Sequence, residues 1–259
     1  MNFNNKVILI VGASTGIGRA VALKLAAAGA KLVITARSQD KLNSLEKEIL
    51  NSGGQCLAIA ADALIERDAA AVVRAGVEHF GRIDVALLNA GGAPALDMRA
   101  MTATDVNYYM RTNYDVTVNY LFPVLEQMKQ QNAGLVAHTN SLAGFLGVPL
   151  QGPYSAAKSA TRILIDTCRL EFAEFDIKFS NIYPGFVATE TSRNQGLMTP
   201  NEISIEQAAE HIIYALRKEK ANYMFPLKMR WLIRLALLLP QPVLNWFLKR
   251  DVPRYKGNG

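Results

Sequence analysis

Tyr154 and Lys158 stand four residues apart, and Ser141 lies thirteen residues before the tyrosine. On a helix a spacing of four puts both side chains on one face, one turn apart. A phenol with a pKa of about 10 is a poor acid or base at neutral pH. An ammonium one turn away stabilises the phenolate and lowers that pKa, so the two together can move a proton. Ser141 adds a hydroxyl able to polarise a carbonyl or alcohol oxygen held beside the phenol. A tyrosine and a lysine at this spacing occur in many ordinary helices. The pair gains meaning only from the serine and from what lies upstream.

Upstream, residues 7–11 read Val-Ile-Leu-Ile-Val and run into Gly12-Ala13-Ser14-Thr15-Gly16-Ile17-Gly18. Glycines between a strand and a helix permit a tight turn and close backbone approach. The helix start then offers free N–H groups and its positive dipole end to a pyrophosphate. Such glycines are often only turn chemistry, but a strand before and a helix after are the context that binding requires. Gly12, Ser14, Thr15, Gly16, Ile17 and Gly18 are therefore candidate cofactor contacts. After the second apolar run stands Thr35-Ala36-Arg37-Ser38, with no acid between Lys31 and Gln39. A site for NAD usually puts a carboxylate there to hold the ribose 2′-hydroxyl. Arg37 is instead a planar cation suited to a 2′-phosphate, with Ser38 as a further donor, so NADP(H) is expected in preference to NAD(H). The bland alternative for Arg37 is a solvated loop residue. Asp62, past the third run, could accept from an adenine amino group or cap the next helix. Asn89, Ala90 and Gly91 close the fourth run with small residues, as a backbone passing a nicotinamide ribose requires.

The elements that must position these residues follow from hydrophobic periodicity. Strand-length runs at 7–11, 32–35, 57–60, 85–89, 135–140 and 179–183 alternate with amphipathic stretches at 17–28, 40–52, 66–80, 106–130 and 154–175. Continuous apolar strands suit a sheet covered on both faces. Their alternation with helices predicts an α/β fold, a doubly wound parallel sheet (Rossmann fold) in a single domain. Ligands of such a sheet sit at the carboxyl ends of its strands, where the candidate residues lie. The expected division is residues 1–225 as the catalytic domain and 226–259 as an appended hydrophobic, basic tail.

With 259 residues, half of them hydrophobic, the chain can bury a sizeable core, which excludes disordered and disulfide-scaffold classes. Cys56 and Cys168 are far apart and the three histidines are scattered, so no metal site is expected. That cysteine usage, together with a start lacking a signal-peptide layout, predicts a cytoplasmic protein. From Arg217 onward ten basic and two acidic residues give +8. The chain totals 28 basic and 22 acidic, which leaves the body at −2. No basic face remains for nucleic acid. The tail also holds both tryptophans, Trp231 and Trp246, and a charge-free run at 235–248, too short to span a bilayer and broken by Pro240 and Pro242. Two short helices are expected, with Arg230, Arg234, Gln241, Asn245 and Lys249 on one stripe. Apolar residues flanked by cations predict peripheral contact with an anionic membrane; a lid or subunit arm is the alternative.

On these motifs the chain resembles the short-chain dehydrogenase/reductase family over about residues 5–225. Its glycine turn corresponds to residues 11–18, its Asn-Asn-Ala-Gly to Leu88-Asn89-Ala90-Gly91, and its active-site set to Ser141, Tyr154 and Lys158. The resemblance implies that Asn113 holds a water in a proton relay through Lys158 and the ribose. It also implies that Pro184 and Gly185, with Val187 and Thr189, contact the nicotinamide side, and that 186–203 closes over the substrate. Val11 and Leu88 depart from the family's threonine and asparagine, which brace neighbouring strands, and Thr15 stands where some NADP-using members carry a basic residue. Leu142, Phe145, Leu146, Val148, Pro149 and Leu150 would line an apolar wall, or pack on another subunit. The implied protein is a homodimeric or homotetrameric NADP(H)-dependent oxidoreductase of a lipophilic carbonyl or alcohol. The competing class is a non-catalytic dinucleotide sensor or scaffold at a membrane, which would be free to lose Ser141, Tyr154 or Lys158.

Overall fold

All five residues of β1 (Val7–Val11) are buried, as a strand with helices on both sides demands. The computed structural model describes residues 1–189 and 202–252. Within them the chain continues through α1 (Gly16–Ala27), β2 (Lys31–Ala36), α2 (Gln39–Asn51), β3 (Gln55–Ala60), α3 (Glu66–Phe80) and β4 (Val85–Leu88). It then runs through α4 (Ala103–Arg111), α5 (Asp115–Gln131), β5 (Gly134–Thr139), α6 (Gly152–Glu171) and β6 (Ile177–Pro184). It closes with α7 (Ile205–Arg217), β7 (Asn222–Phe225), α8 (Leu227–Ala236) and α9 (Gln241–Leu248). The seven strands form one parallel sheet ordered β3-β2-β1-β4-β5-β6-β7. This is the doubly wound fold expected from the sequence. The winding reverses between β1 and β4, and the crevice there, outside the strand ends, is where such sheets bind ligands.

Alternate residues of each strand feed two cores. Ile8, Ile10, Leu32 and Ile34 pack with Leu25 of α1 and Leu42 of α2 on one face. Leu9, Val11, Val33 and Val136 pack with Val72 of α3, Leu121 of α5 and Ile165 of α6 on the other.

Three expectations are corrected. The stretch 106–130 is two helices, because the chain turns at Thr112–Tyr114. There the Asn113 amide donates to the Tyr109 carbonyl (3.1 Å) and takes up the Gly92 N–H (3.0 Å), diverting the backbone from a continuous helix. The stretch 154–175 begins earlier, at Gly152, and its helix ends at Glu171, with a 3-10 turn at Ala173–Phe175. Strand β7 and helix α7 were not expected. The first is a four-residue edge strand too short for periodicity, whereas the second opens with a capping box between Ser204 and Gln207 that could have been read. The sheet thus continues to Phe225, and the segment that follows divides at Pro240 into the two short helices foreseen.

Candidate active site

At the end of β1 the Gly12 and Ala13 N–H groups both donate to the Thr35 carbonyl, at 2.9 and 3.1 Å. Gly12 has φ of +81°, and a Cβ there would lie 2.9 Å from the Ala90 Cα. A side chain at Gly18 would run into the Gly12 carbonyl oxygen. Only glycine lets the turn, α1 and the 89–91 segment come this close. Asn89 fastens the seam, its amide donating to the Gly12 carbonyl at 3.2 Å. Thr15 stands at the N-cap of α1 without a side-chain cap bond, and no acid occupies the first turn. The first-turn amides of Gly16, Ile17 and Gly18 are therefore uncapped by side chains, and Ser14 and Thr15 add hydroxyls. A glycine cradle and an uncapped helix start fit a pyrophosphate.

Beyond β2, Arg37 is exposed and enters no ion pair among the described residues, and Ser38 holds the N-cap of α2 without a side-chain cap bond. Asp62 does not cap α3. Ile65 has that position, and the Asp62 carboxylate accepts the Leu64 N–H at 3.0 Å in a local turn. The capping alternative falls because the chain makes one more turn before the helix starts.

The second half of the site gathers around β5. Lys158 is buried, and its Nζ donates to the Thr139 carbonyl at 2.8 Å. Its ammonium lies 5.7 Å from the centre of the Tyr154 ring, as the one-turn spacing on α6 requires. Burial pushes the lysine down to about 7. Burial raises the pKa of Tyr154, and a hydrogen bond from Ser141 pulls it partly back. Ser141 is held at the start of a 3-10 turn, Leu142–Phe145, where its Oγ accepts the Ala143 N–H at 3.1 Å.

Asn140 was missed by sequence reading. Its Oδ1 accepts the Ser141 N–H at 2.8 Å and its Nδ2 donates to the Lys158 carbonyl at 3.1 Å, tying the serine to the helix of its partners. An asparagine directly before the serine at a strand end was the available signal. Asn113 is buried behind Gly91, and its Oδ1 accepts the Gly92 N–H, which fixes the loop after β4. Gly185 N–H donates to the Phe225 carbonyl at 2.8 Å, and Val187 bridges to Ile203, with Thr189 N–H on the Val187 carbonyl. The segment meant to cover the substrate lies largely outside the described residues, at 190–201.

Leu142 is buried with Tyr183, Met229 and Ile233, and Phe145 and Leu146 pack against them, with Phe145 and Tyr183 ring centres 4.8 Å apart. Two of these residues belong to α8, so the tail's first helix forms part of the site's apolar flank.

Residues 6–199 match the family model described as short chain dehydrogenase. An uncharacterised oxidoreductase of Listeria innocua is 34% identical over 192 residues, covering 73% of this chain and 77% of its own. A 7α-hydroxysteroid dehydrogenase, solved with NADH and 7-oxo glycochenodeoxycholic acid, superposes with a TM-score of 0.80 at 21% identity, over 86% of this chain and 94% of that one. An alcohol dehydrogenase from the archaeon Thermococcus sibiricus, solved with 5-hydroxy-NADP, gives 0.77 at 26% identity, over 86% and 96%.

Proposed function

The chain belongs to the short-chain dehydrogenase/reductase family, oxidoreductases that interconvert CH–OH and C=O with NAD(P)(H), and from that premise we propose that it reduces a lipophilic ketone or aldehyde with NADPH. The observation that carries this reading is the meeting of Ser141, Tyr154 and Lys158 beside the glycine cradle, where β1, β4 and β5 end. The nicotinamide, when bound, supplies the hydride. The Tyr154 hydroxyl gives its proton to the carbonyl oxygen, and Ser141 supplies a hydrogen bond to the same oxygen. Lys158, anchored on the Thr139 carbonyl, faces the phenolate that forms and stabilises it. Asn113 fixes the loop after β4 and is the candidate holder of a relay water. Gly12, Ser14, Thr15, Gly16, Ile17 and Gly18 would hold the pyrophosphate, Asp62 the adenine, and Asn89, Ala90, Gly91, Pro184, Gly185, Val187 and Thr189 the nicotinamide side. Exposed Arg37, with Ser38 beside it, supports a 2′-phosphate and hence NADP(H). Phe145 and Leu146, partly buried beside Leu142, support a lipophilic substrate. The assembly in this reading is a homodimer or homotetramer in the cytoplasm.

The test is oxidation of NADPH against NADH over a panel of lipophilic ketones and aldehydes, with Tyr154→Phe beside the wild type. Removal of the proton donor should cost at least about 100-fold in kcat, while cofactor affinity changes by less than about three-fold. A variant that keeps more than about a tenth of the rate, a difference of roughly 1.4 kcal/mol in barrier, removes Tyr154 from the mechanism.

A further inference from the structure

The segment after β7 carries a face that the fold leaves uncovered. Of the nineteen large hydrophobic residues exposed among the described residues, eleven lie between Leu227 and Val252. On α8 the buried line is Met229 and Ile233, which pack against Leu142 and Tyr183. At 100° per residue the opposite line is Leu227, Trp231 and Leu235, and these are 67%, 56% and 60% exposed. The turn beyond is led by Leu238, 81% exposed, and α9 adds Trp246 and Phe247. Proteins free of partners rarely show so concentrated an apolar surface.

Charge identifies what covers it. Residues 227–252 contain Lys228, Arg230, Arg234, Lys249 and Arg250 against the single acid Asp251, while the body upstream of Arg217 is net acidic. Arg230 and Arg234 each lie 5.7 Å from the Trp231 ring centre, and Arg250 lies 4.0 Å from that of Trp246. Guanidinium groups clustered around exposed indoles suit a surface that is anionic outside and apolar just beneath. A second copy of this chain would bring the same cations against themselves. No described helix is long and apolar enough to cross a membrane, so the contact is with one leaflet. We propose that α8 and α9 form a docking surface for an anionic lipid bilayer, with Trp231, Leu235, Leu238 and Trp246 entering the interface and the flanking cations meeting lipid phosphates and carboxylates.

The docking stands on residues remote from Ser141 and Tyr154 and does not depend on the reductase reading. Its consequence does rest on that reading. Because the inner face of α8 is part of the site's apolar flank, a docked bilayer lies about one helix diameter, roughly 10 Å, from Leu142. A carbonyl dissolved in lipid then has a short path to the site.

Trp231 and Trp246 are the chain's only tryptophans, so their fluorescence reports the face directly. The full chain is mixed with vesicles of phosphatidylcholine containing about a third phosphatidylserine, and with phosphatidylcholine vesicles alone. The anionic vesicles should co-sediment the protein and shift its emission to the blue, at least about ten-fold more tightly than the neutral ones, and salt near 0.5 M should release part of it. Trp231→Glu with Trp246→Glu changes exposed positions only. It should keep the melting temperature and cofactor binding yet weaken sedimentation at least about ten-fold. The proposal is overturned if the wild type ignores anionic vesicles, or if the double variant sediments like the wild type. It is equally overturned if vesicles fail to capture the chain while the double variant splits an oligomer in light scattering, because the face is then an interface between copies.

Discussion

Replacing Lys158 by methionine should change how stability depends on pH, by an amount that follows from the lysine's burial. Its ammonium is buried with the Thr139 carbonyl as its hydrogen-bond acceptor, and burial lowers its pKa from 10.5 to about 7. Between those values the unfolded chain binds more protons than the folded one, so the stability of the wild type rises with pH. The slope contributed by one such group approaches roughly 1.4 kcal/mol per pH unit once the pH is well above 7. From pH 7 to pH 9 the integrated gain is about 2 kcal/mol, allowing for the shallow start near the folded pKa. Methionine keeps the length of the side chain and removes the titration. Groups that do not face Lys158, including Tyr120, Tyr183 and Cys56, cancel when the two are compared, and His138 and Tyr154, which do face it, are shifted down and up respectively, away from the pH 7–9 window. The assay is urea unfolding of wild type and Lys158→Met at pH 7, 8 and 9, at one protein concentration and without added nucleotide. The stability of the wild type relative to the variant should climb by about 2 kcal/mol across that window. A difference that stays flat to within about 0.5 kcal/mol, the scatter expected of such comparisons, would show that Lys158 is not depressed, and the burial account of this site would fail.

Arg37→Asp should lower the preference for NADPH over NADH by at least about ten-fold, or roughly 1.4 kcal/mol, because a carboxylate repels the 2′-phosphate and accepts from a ribose hydroxyl; an unchanged ratio of kcat/KM makes Arg37 a solvated loop residue. Val11 and Leu88 are buried register partners on β1 and β4. Val11→Thr alone should therefore cost about 1–3 kcal/mol for an unsatisfied hydroxyl, and pairing it with Leu88→Asn should recover about 1 kcal/mol relative to the sum of the single changes, read by a double-mutant cycle in urea. Asn140→Ala frees the Ser141 N–H and removes the side-chain tie to the Lys158 carbonyl, so kcat should fall while cofactor affinity holds, and a loss seen only in affinity would contradict its positioning role.

Whatever depends on neighbours along the chain could be read from the order of the residues. The burial of Val7-Ile8-Leu9-Ile10-Val11 on both faces, the glycine turn that follows it and the one-turn spacing of Tyr154 and Lys158 are local patterns, and each lies on the kind of element expected for it, although α6 runs from Gly152 to Glu171 rather than over 154–175. Prolines 240 and 242 likewise broke the tail into two helices, because a residue without an N–H can begin a helix but not continue one. Tertiary structure decided the matters that depend on residues distant in sequence. Asn113, just past the end of α4, takes up the Gly92 N–H of the loop after β4, and Asn140 reaches the Lys158 carbonyl because β5 ends against α6. The register of β1 on β4 set Val11 against Leu88, so two departures that look independent along the chain are one apolar contact in the sheet. The protonation of the site was equally beyond a linear reading. Spacing places an ammonium beside a phenol, but whether their attraction or their burial prevails depends on how much water the surrounding helices exclude. Here burial raises the pKa of Tyr154 and lowers that of Lys158.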